Sequence, residues 1–154
     1  MLFRSHGIEL LADRHAAARR VLPAATTLWL GDACVAPVAP LSQDLLLVAT
    51  VFSSLLDDAF QQRLAAAMWG WLKPGGAVIW YDFTLDNPRN THVRGVPLSR
   101  VRSLFPQGRV TARRLTLAPP LARLLCKASP RLLPLFDAMP FLRTHVLAWI
   151  AKPE

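Results

Sequence analysis

Short apolar runs alternate along the chain with longer segments whose apolar residues recur at helical spacing. That alternation predicts an α/β fold with a mostly parallel sheet and crossover helices on both faces. Residues 6–10 read as a short strand, and residues 13–21 as a helix that Asp13 can cap and Pro23 stops. Residues 26–30 form the next predicted strand, closed by Gly31-Asp32. After a loop carrying Pro37 and Pro40, Asp44 opens the run Leu45-Leu46-Leu47-Val48-Ala49. This run is apolar on both faces, which predicts a strand in the middle of the sheet.

Residues 57–72 follow as a helix with Phe60, Leu64, Ala67, Met68 and Trp71 spaced to face one side. It stops at Lys73-Pro74-Gly75-Gly76, where proline ends the pattern and the glycines permit a tight reversal into a strand over 77–83. A polar loop covers 84–95, a helix with Pro97 in its first turn covers 97–105, and a strand alternating charged and apolar positions covers 108–117. Residues 118–140 read as two short helices punctuated by prolines, before a last strand over 143–151.

At 154 residues the chain is expected to form one domain, 1–154. Its 53% hydrophobic content and mean hydropathy of +0.28 exceed what soluble domains usually carry, so apolar surface is either well buried or lacks its cover. The longest apolar stretches are interrupted before the roughly 18 residues that a membrane helix needs, so no transmembrane segment is expected. No apolar leader with a small-residue cleavage site opens the chain, and a cytoplasmic location is expected. Cys34 and Cys126 lie far apart, with neither CxxC spacing nor a histidine cluster. Buried free thiols are expected, and no metal. The net charge of +8 admits a nucleic-acid or anionic-membrane partner. The arginines are scattered, however, which favours a solvated basic surface and makes nucleic acid the weakest reading.

The segment 44–83 carries the most specific pattern: an apolar strand, Phe52-Ser53-Ser54-Leu55, an amphipathic helix, Leu72-Lys73-Pro74-Gly75-Gly76, and a second apolar strand. In that order it resembles the second half of the class I S-adenosylmethionine-dependent methyltransferase fold, a Rossmann-like sheet. Gly7-Ile8-Glu9-Leu10 is similar to the family's second strand, which implies that Glu9 accepts hydrogen bonds from the cofactor ribose, with Leu10 beside it. A helix-capping or surface role is the alternative for Glu9. Gly31-Asp32-Ala33 resembles the loop after the third strand, which implies Asp32 toward the adenine amino group and the Ala33 N–H toward a ring nitrogen, although Gly-Asp is also an ordinary turn. By position, Ala49, Thr50, Val51 and Phe52 would form the floor under the methionine end of the cofactor; Phe52 reads equally as a core residue. Tyr81, Asp82, Arg89 and Asn90 follow the fifth strand of the family at the ligand edge, which makes them acceptor-side candidates. Asp82 is a candidate general base or a loop-capping carboxylate. His92 and His145 are isolated and read as surface or satisfied core histidines.

The family's Gly-x-Gly-x-Gly loop has no counterpart in this sequence. Met1 stands so close to Glu9 that the first strand and helix would lie upstream, and a non-native start is the simplest account. The missing strand would be the centre of the sheet, and losing its buried side chains would forfeit roughly 10 kcal/mol. The expectation is a methyltransferase domain acting on a small or lipid-like acceptor, with 118–140 as an apolar lid and a partner chain supplying the missing strand. The alternative is a non-catalytic module that binds a partner through its exposed sheet edge.

Overall fold

The computed structural model describes residues 4–88 and 90–154. Their contacts gather into two compact units, one reaching to Ala39 and one spanning Pro40–Glu154. In the first unit β1 (His6–Glu9) and β2 (Thr27–Leu30) pair in parallel, with Glu9 opposite Leu30, and α1 (Ala12–Val21) connects them. The predicted cap of α1 is not formed. Its N-cap position is Leu11, which offers no side-chain acceptor, and Asp13 lies one step inside the first turn, where its charge complements the helix dipole. Arg19 ties the other end down by donating to the Thr26 carbonyl at 2.9 Å.

The second unit contains β3 (Gln43–Ala49), α2 (Asp58–Trp71), β4 (Leu72–Phe83), α3 (Leu98–Leu104), β5 (Arg109–Leu117), α4 (Pro119–Ala128), α5 (Leu133–Asp137) and β6 (Arg143–Ala151). Its sheet has the order β3-β4-β6-β5. The β3–β4 pair is parallel, as the crossover through α2 requires, while β6 runs antiparallel to both β4 and β5. Among the described residues β3 therefore stands at an edge of this sheet.

The expected reversal at 73–76 is instead an outward bulge of one continuous strand. Gln43 pairs with Leu72 and Leu45 with Ala77, so the four residues between Leu72 and Ala77 face a single residue of β3. Gly75 adopts φ 74°, which glycine reaches without the Cβ penalty. Lys73 closes the bulge on Asp44 through an ion pair of 2.8 Å.

Alternation along the strands separates two faces of this sheet. Val48, Val78, Trp80, Val146, Ala148 and Ile150 are buried, as are Leu64, Ala65, Met68 and Trp71 of α2 and Val101 and Leu104 of α3. Trp80 is the centre of this core, with its ring 4.5 Å from Phe52 and 6.3 Å from Phe105. Asp57 caps α2 by accepting from the Ala59 N–H at 2.8 Å and the Phe60 N–H at 3.3 Å. The opposite face carries Leu45, Leu47, Leu147 and Trp149, all exposed, with Leu47 at 74%. The two cysteines are not the buried thiols expected: Cys34 is half-buried and Cys126 lies exposed on α4. Among the described residues no helix is long and apolar enough to cross a membrane, and no cluster fit to hold a metal is present.

Candidate functional site

In the first unit, two acidic residues stand at the C-terminal ends of adjacent parallel strands. Glu9 is the last residue of β1, and its Oε1 accepts from the Leu11 N–H at 2.9 Å. Asp32 follows β2, and its Oδ1 accepts from the Cys34 N–H at 2.8 Å. Each carboxylate thus spends one oxygen on holding its own loop, and its second oxygen accepts no hydrogen bond among the described residues. Between the strands the chain passes close by: the Gly31 N–H donates to the Glu9 carbonyl at 2.9 Å, and the Trp29 ring folds over Gly31 where a Cβ would stand. Leu10 and Ala33 flank the two acids, Leu10 exposed and Ala33 half-buried.

In the second unit β3 ends in a tightly held turn. Ala49 pairs with Tyr81, and the Thr50 N–H donates to the Tyr81 carbonyl at 2.8 Å. Thr50 takes φ 53°, a conformation that costs a β-branched residue energy and that tends to occur at functional sites. Phe52 is fully buried against Trp80, so it belongs to the core while its backbone shapes the turn.

The Phe52 carbonyl accepts from Gln61 Nε2 at 3.0 Å, and Gln61 also donates to the Leu55 carbonyl at 2.9 Å. Arg100 Nε donates to Gln61 Oε1 at 3.0 Å and so orients the amide. Asp82, 1% exposed, accepts from the Ser53 N–H at 3.0 Å through Oδ2 and from the Phe83 N–H at 2.9 Å through Oδ1. Burial pushes its carboxyl above the ordinary carboxylate range, against the lowering by these donors and by His145. On α2, Asp58 pairs with Arg94 and Arg100; the Arg94 hydrogen bond lowers its carboxyl.

A cavity of about 670 Å³ opens at the end of β4. Phe83, Leu85, Pro88 and Pro120 give it apolar walls, and Asn90, Arg123 and His145 add polar groups. Its volume suits a small organic molecule. The His145 ring stacks on Tyr81 with centroids 5.1 Å apart and meets the edge of Phe83. Burial pushes this imidazole below its ordinary value, opposed by Asp82. Tyr81 is fixed by a 2.7 Å hydrogen bond between its hydroxyl and Thr116 Oγ1, and Thr116 itself adopts φ 60°.

Of the four acceptor-side candidates, Asn90 lines the cavity, Tyr81 stacks against a residue that does, and Asp82 lies beneath the turn at 52–54. Arg89 falls outside the described residues. The cofactor-side candidates Glu9, Leu10, Asp32 and Ala33 belong to the first unit; Ala49, Thr50 and Phe52 belong to the second. Gln61, Arg100 and Thr116 carry no expectation from the sequence, while His145, expected as a surface or satisfied core histidine, lines the cavity. Gln61 alone carries a local signal, a polar residue on the stripe completed by Leu64, Ala65 and Met68.

No family model and no curated protein matches the chain. Solved structures do match. A SAM-dependent methyltransferase from Archaeoglobus fulgidus superposes with a TM-score of 0.68 at 10% identity, over 96% of this chain and 76% of that one. The N-methyltransferase NodS from Bradyrhizobium japonicum WM9, in complex with S-adenosyl-L-homocysteine, gives 0.71 at 16% identity, over 98% of this chain and 67% of that one. A methyltransferase from the Haloferax volcanii complex with the Trm112 activator gives 0.65 at 15% identity, over 98% and 73%. These likenesses are far too distant in sequence to transfer an activity, but they agree on architecture: the chain has the Rossmann-like α/β fold of class I SAM-dependent methyltransferases.

Proposed function

We propose that the chain forms the greater part of an S-adenosylmethionine-dependent methyltransferase whose acceptor enters the cavity at the end of β4. What supports this reading most is the pair of acids closing β1 and β2, each with one carboxylate oxygen unspent. The free Glu9 oxygen suits two ribose hydroxyls, since a carboxylate oxygen has lone pairs for more than one donor. The free Asp32 oxygen suits the adenine amino group, and the Ala33 N–H a ring nitrogen. In the second unit the exposed Ala49 and Thr50 offer small side chains at the end of β3, while Phe52 is buried and serves the core. Bound at the two acids, S-adenosylmethionine would supply a sulfonium methyl group for in-line displacement.

The protein's own contribution is alignment, which is worth several kcal/mol when donor and acceptor are held near the reacting geometry. Gln61, Arg100 and Asp82 fix the turn after β3, and Tyr81 fixes the imidazole that lines the cavity. Asp82 acts on this reading as a positioning residue, because both its oxygens are held by backbone donors. Asn90 and Arg89 belong to the loop that borders the acceptor. The apolar lining suits a small or lipid-like acceptor, with α4 and α5 as its cover. Calorimetric titration with S-adenosylmethionine tests the reading: heat of binding that Glu9→Ala and Asp32→Ala each abolish is expected, and binding indifferent to both changes would exclude it.

A second reading rests on β3, which stands at the edge of its sheet among the described residues with Leu45 and Leu47 exposed. An unpaired apolar edge invites another strand. In this reading a further polypeptide carrying the glycine-rich strand completes the sheet, and the chain alone binds no cofactor. A stable complex with such a polypeptide, accompanied by newly gained cofactor binding, would establish it.

A further inference from the structure

The segment 118–142 leaves both apolar and cationic groups uncovered. α4 begins with Pro119 and Pro120, where missing N–H groups cost nothing, and buries Leu125 toward the body of the unit. Its outward side carries Arg123 and Lys127, one turn apart, and next to them Leu124 at 62% exposure. The pattern continues beyond the helix with Arg131, exposed Leu132 and Leu135, and Phe141 at 74% exposure. α4 and α5 pack on each other and on β5, so these groups belong to one layer of the unit.

The charges are not compensated. Arg123, Lys127 and Arg131 make no hydrogen bond or ion pair among the described residues. The one acid of the segment, Asp137, is taken by Arg143 at 3.3 Å. Leucine and phenylalanine held in water beside unpaired cations are a poor surface for solvent and a poor one for a nucleic-acid backbone, which needs the cations alone. A bilayer of anionic lipid satisfies both at once: headgroups neutralise Arg123, Lys127 and Arg131 while the acyl boundary takes up Leu124, Leu135 and Phe141.

We propose that the segment 118–142 docks this protein peripherally on a membrane surface rich in anionic lipid. Docking would set Arg123, which also lines the cavity, at the headgroup level, so that an acceptor dissolved in the lipid phase reaches the cavity from the bilayer. That consequence rests on the methyltransferase reading; the docking does not, and the test uses no cofactor.

The full chain is co-sedimented with vesicles of phosphatidylcholine with and without phosphatidylglycerol, and circular dichroism checks that each variant stays folded. Wild type is expected to sediment with the mixed vesicles and to stay in solution with phosphatidylcholine alone. Arg123→Gln/Lys127→Gln is expected to lower partitioning roughly 30-fold, from two lost surface cations at about 1 kcal/mol each. Leu124→Gln/Phe141→Gln, with charge unchanged, is expected to lower it roughly tenfold or more. Failure to sediment would overturn the proposal. Equal sedimentation of the apolar variant would also overturn it, as would duplex DNA that binds wild type and that variant alike and displaces both from vesicles; those results would mark a general polyanion surface.

Discussion

Replacing Asp82 by alanine removes the β4 side chain that accepts a hydrogen bond from the turn after β3. Asp82 is 1% exposed and accepts from two backbone N–H groups, those of Ser53 and Phe83. Ser53 is itself buried at 1%, so its N–H has no water to turn to once the carboxylate is gone. An orphaned buried donor costs about 1–3 kcal/mol. The Phe83 N–H is less enclosed and adds a smaller amount, for a total of about 2–4 kcal/mol against a typical domain stability of about 5–15 kcal/mol. In a chain of this size that corresponds to a fall in Tm of roughly 5–15 °C.

Urea unfolding followed by tryptophan fluorescence measures the loss directly, because Trp80 sits against Phe52 at the same turn. The pH dependence has a definite sign. Burial raises the folded Asp82 pKa above its ordinary value, so the folded state holds this proton more tightly than the unfolded chain does. The contribution of this titration is therefore fully present below the ordinary carboxylate pKa and is lost as pH rises through the folded value. Asp82→Asn, which cannot ionise, should lack that decline when the two proteins are compared from about pH 4 to about pH 7. A loss of less than about 0.5 kcal/mol for Asp82→Ala, the level of an ordinary surface substitution, would refute the reasoning.

The two faces of the four-stranded sheet should respond oppositely to tryptophan removal: Trp80→Ala should cost about 3–5 kcal/mol in urea unfolding, whereas Trp149→Ala, on the exposed face, should cost under about 1 kcal/mol. Gly95→Ala should destabilise the loop over the cavity, since a Cβ there would stand 2.6 Å from the backbone of Leu85; proteolysis within 84–95 should quicken. His145 should titrate below the ordinary histidine value in NMR, because burial disfavours its charged form. Its contribution to stability is then present above the unfolded pKa and lost as pH falls through the folded one, a trend that His145→Gln should remove.

Most of the strands and helices could be read from the sequence because each announces itself locally. The run 45–49 is apolar throughout, α2 repeats at helical spacing behind Asp57, and prolines mark the starts of α3 and α4. What could not be read depends on pairing. Lys73-Pro74-Gly75-Gly76 has the composition of a turn, and only the register of β3 against β4 reveals it as a bulge. The doubly apolar run of β3 predicts the sheet centre, yet among the described residues it stands at the edge of its own four-stranded sheet, with Leu45 and Leu47 exposed.

The same distinction holds for the candidate site. Glu9 and Asp32 were visible as acids ending strands, because position along the chain suffices to place them. Thr116, Tyr81 and His145 meet only through the adjacency of β4, β6 and β5, which no local pattern encodes. Gln61 was legible in principle, as a polar interruption of an apolar stripe, but its partners Phe52 and Arg100 were not.

The central claim is that the acids at the ends of β1 and β2, in the first unit, bind the cofactor. Its most direct test is to record backbone amide NMR shifts of the full chain on addition of S-adenosylhomocysteine. The account predicts shifts that gather at Glu9–Leu11 and Asp32–Cys34 and that weaken together in Glu9→Ala. A saturating ligand that moves none of these amides, or only those around the cavity at Phe83 and His145, would contradict it.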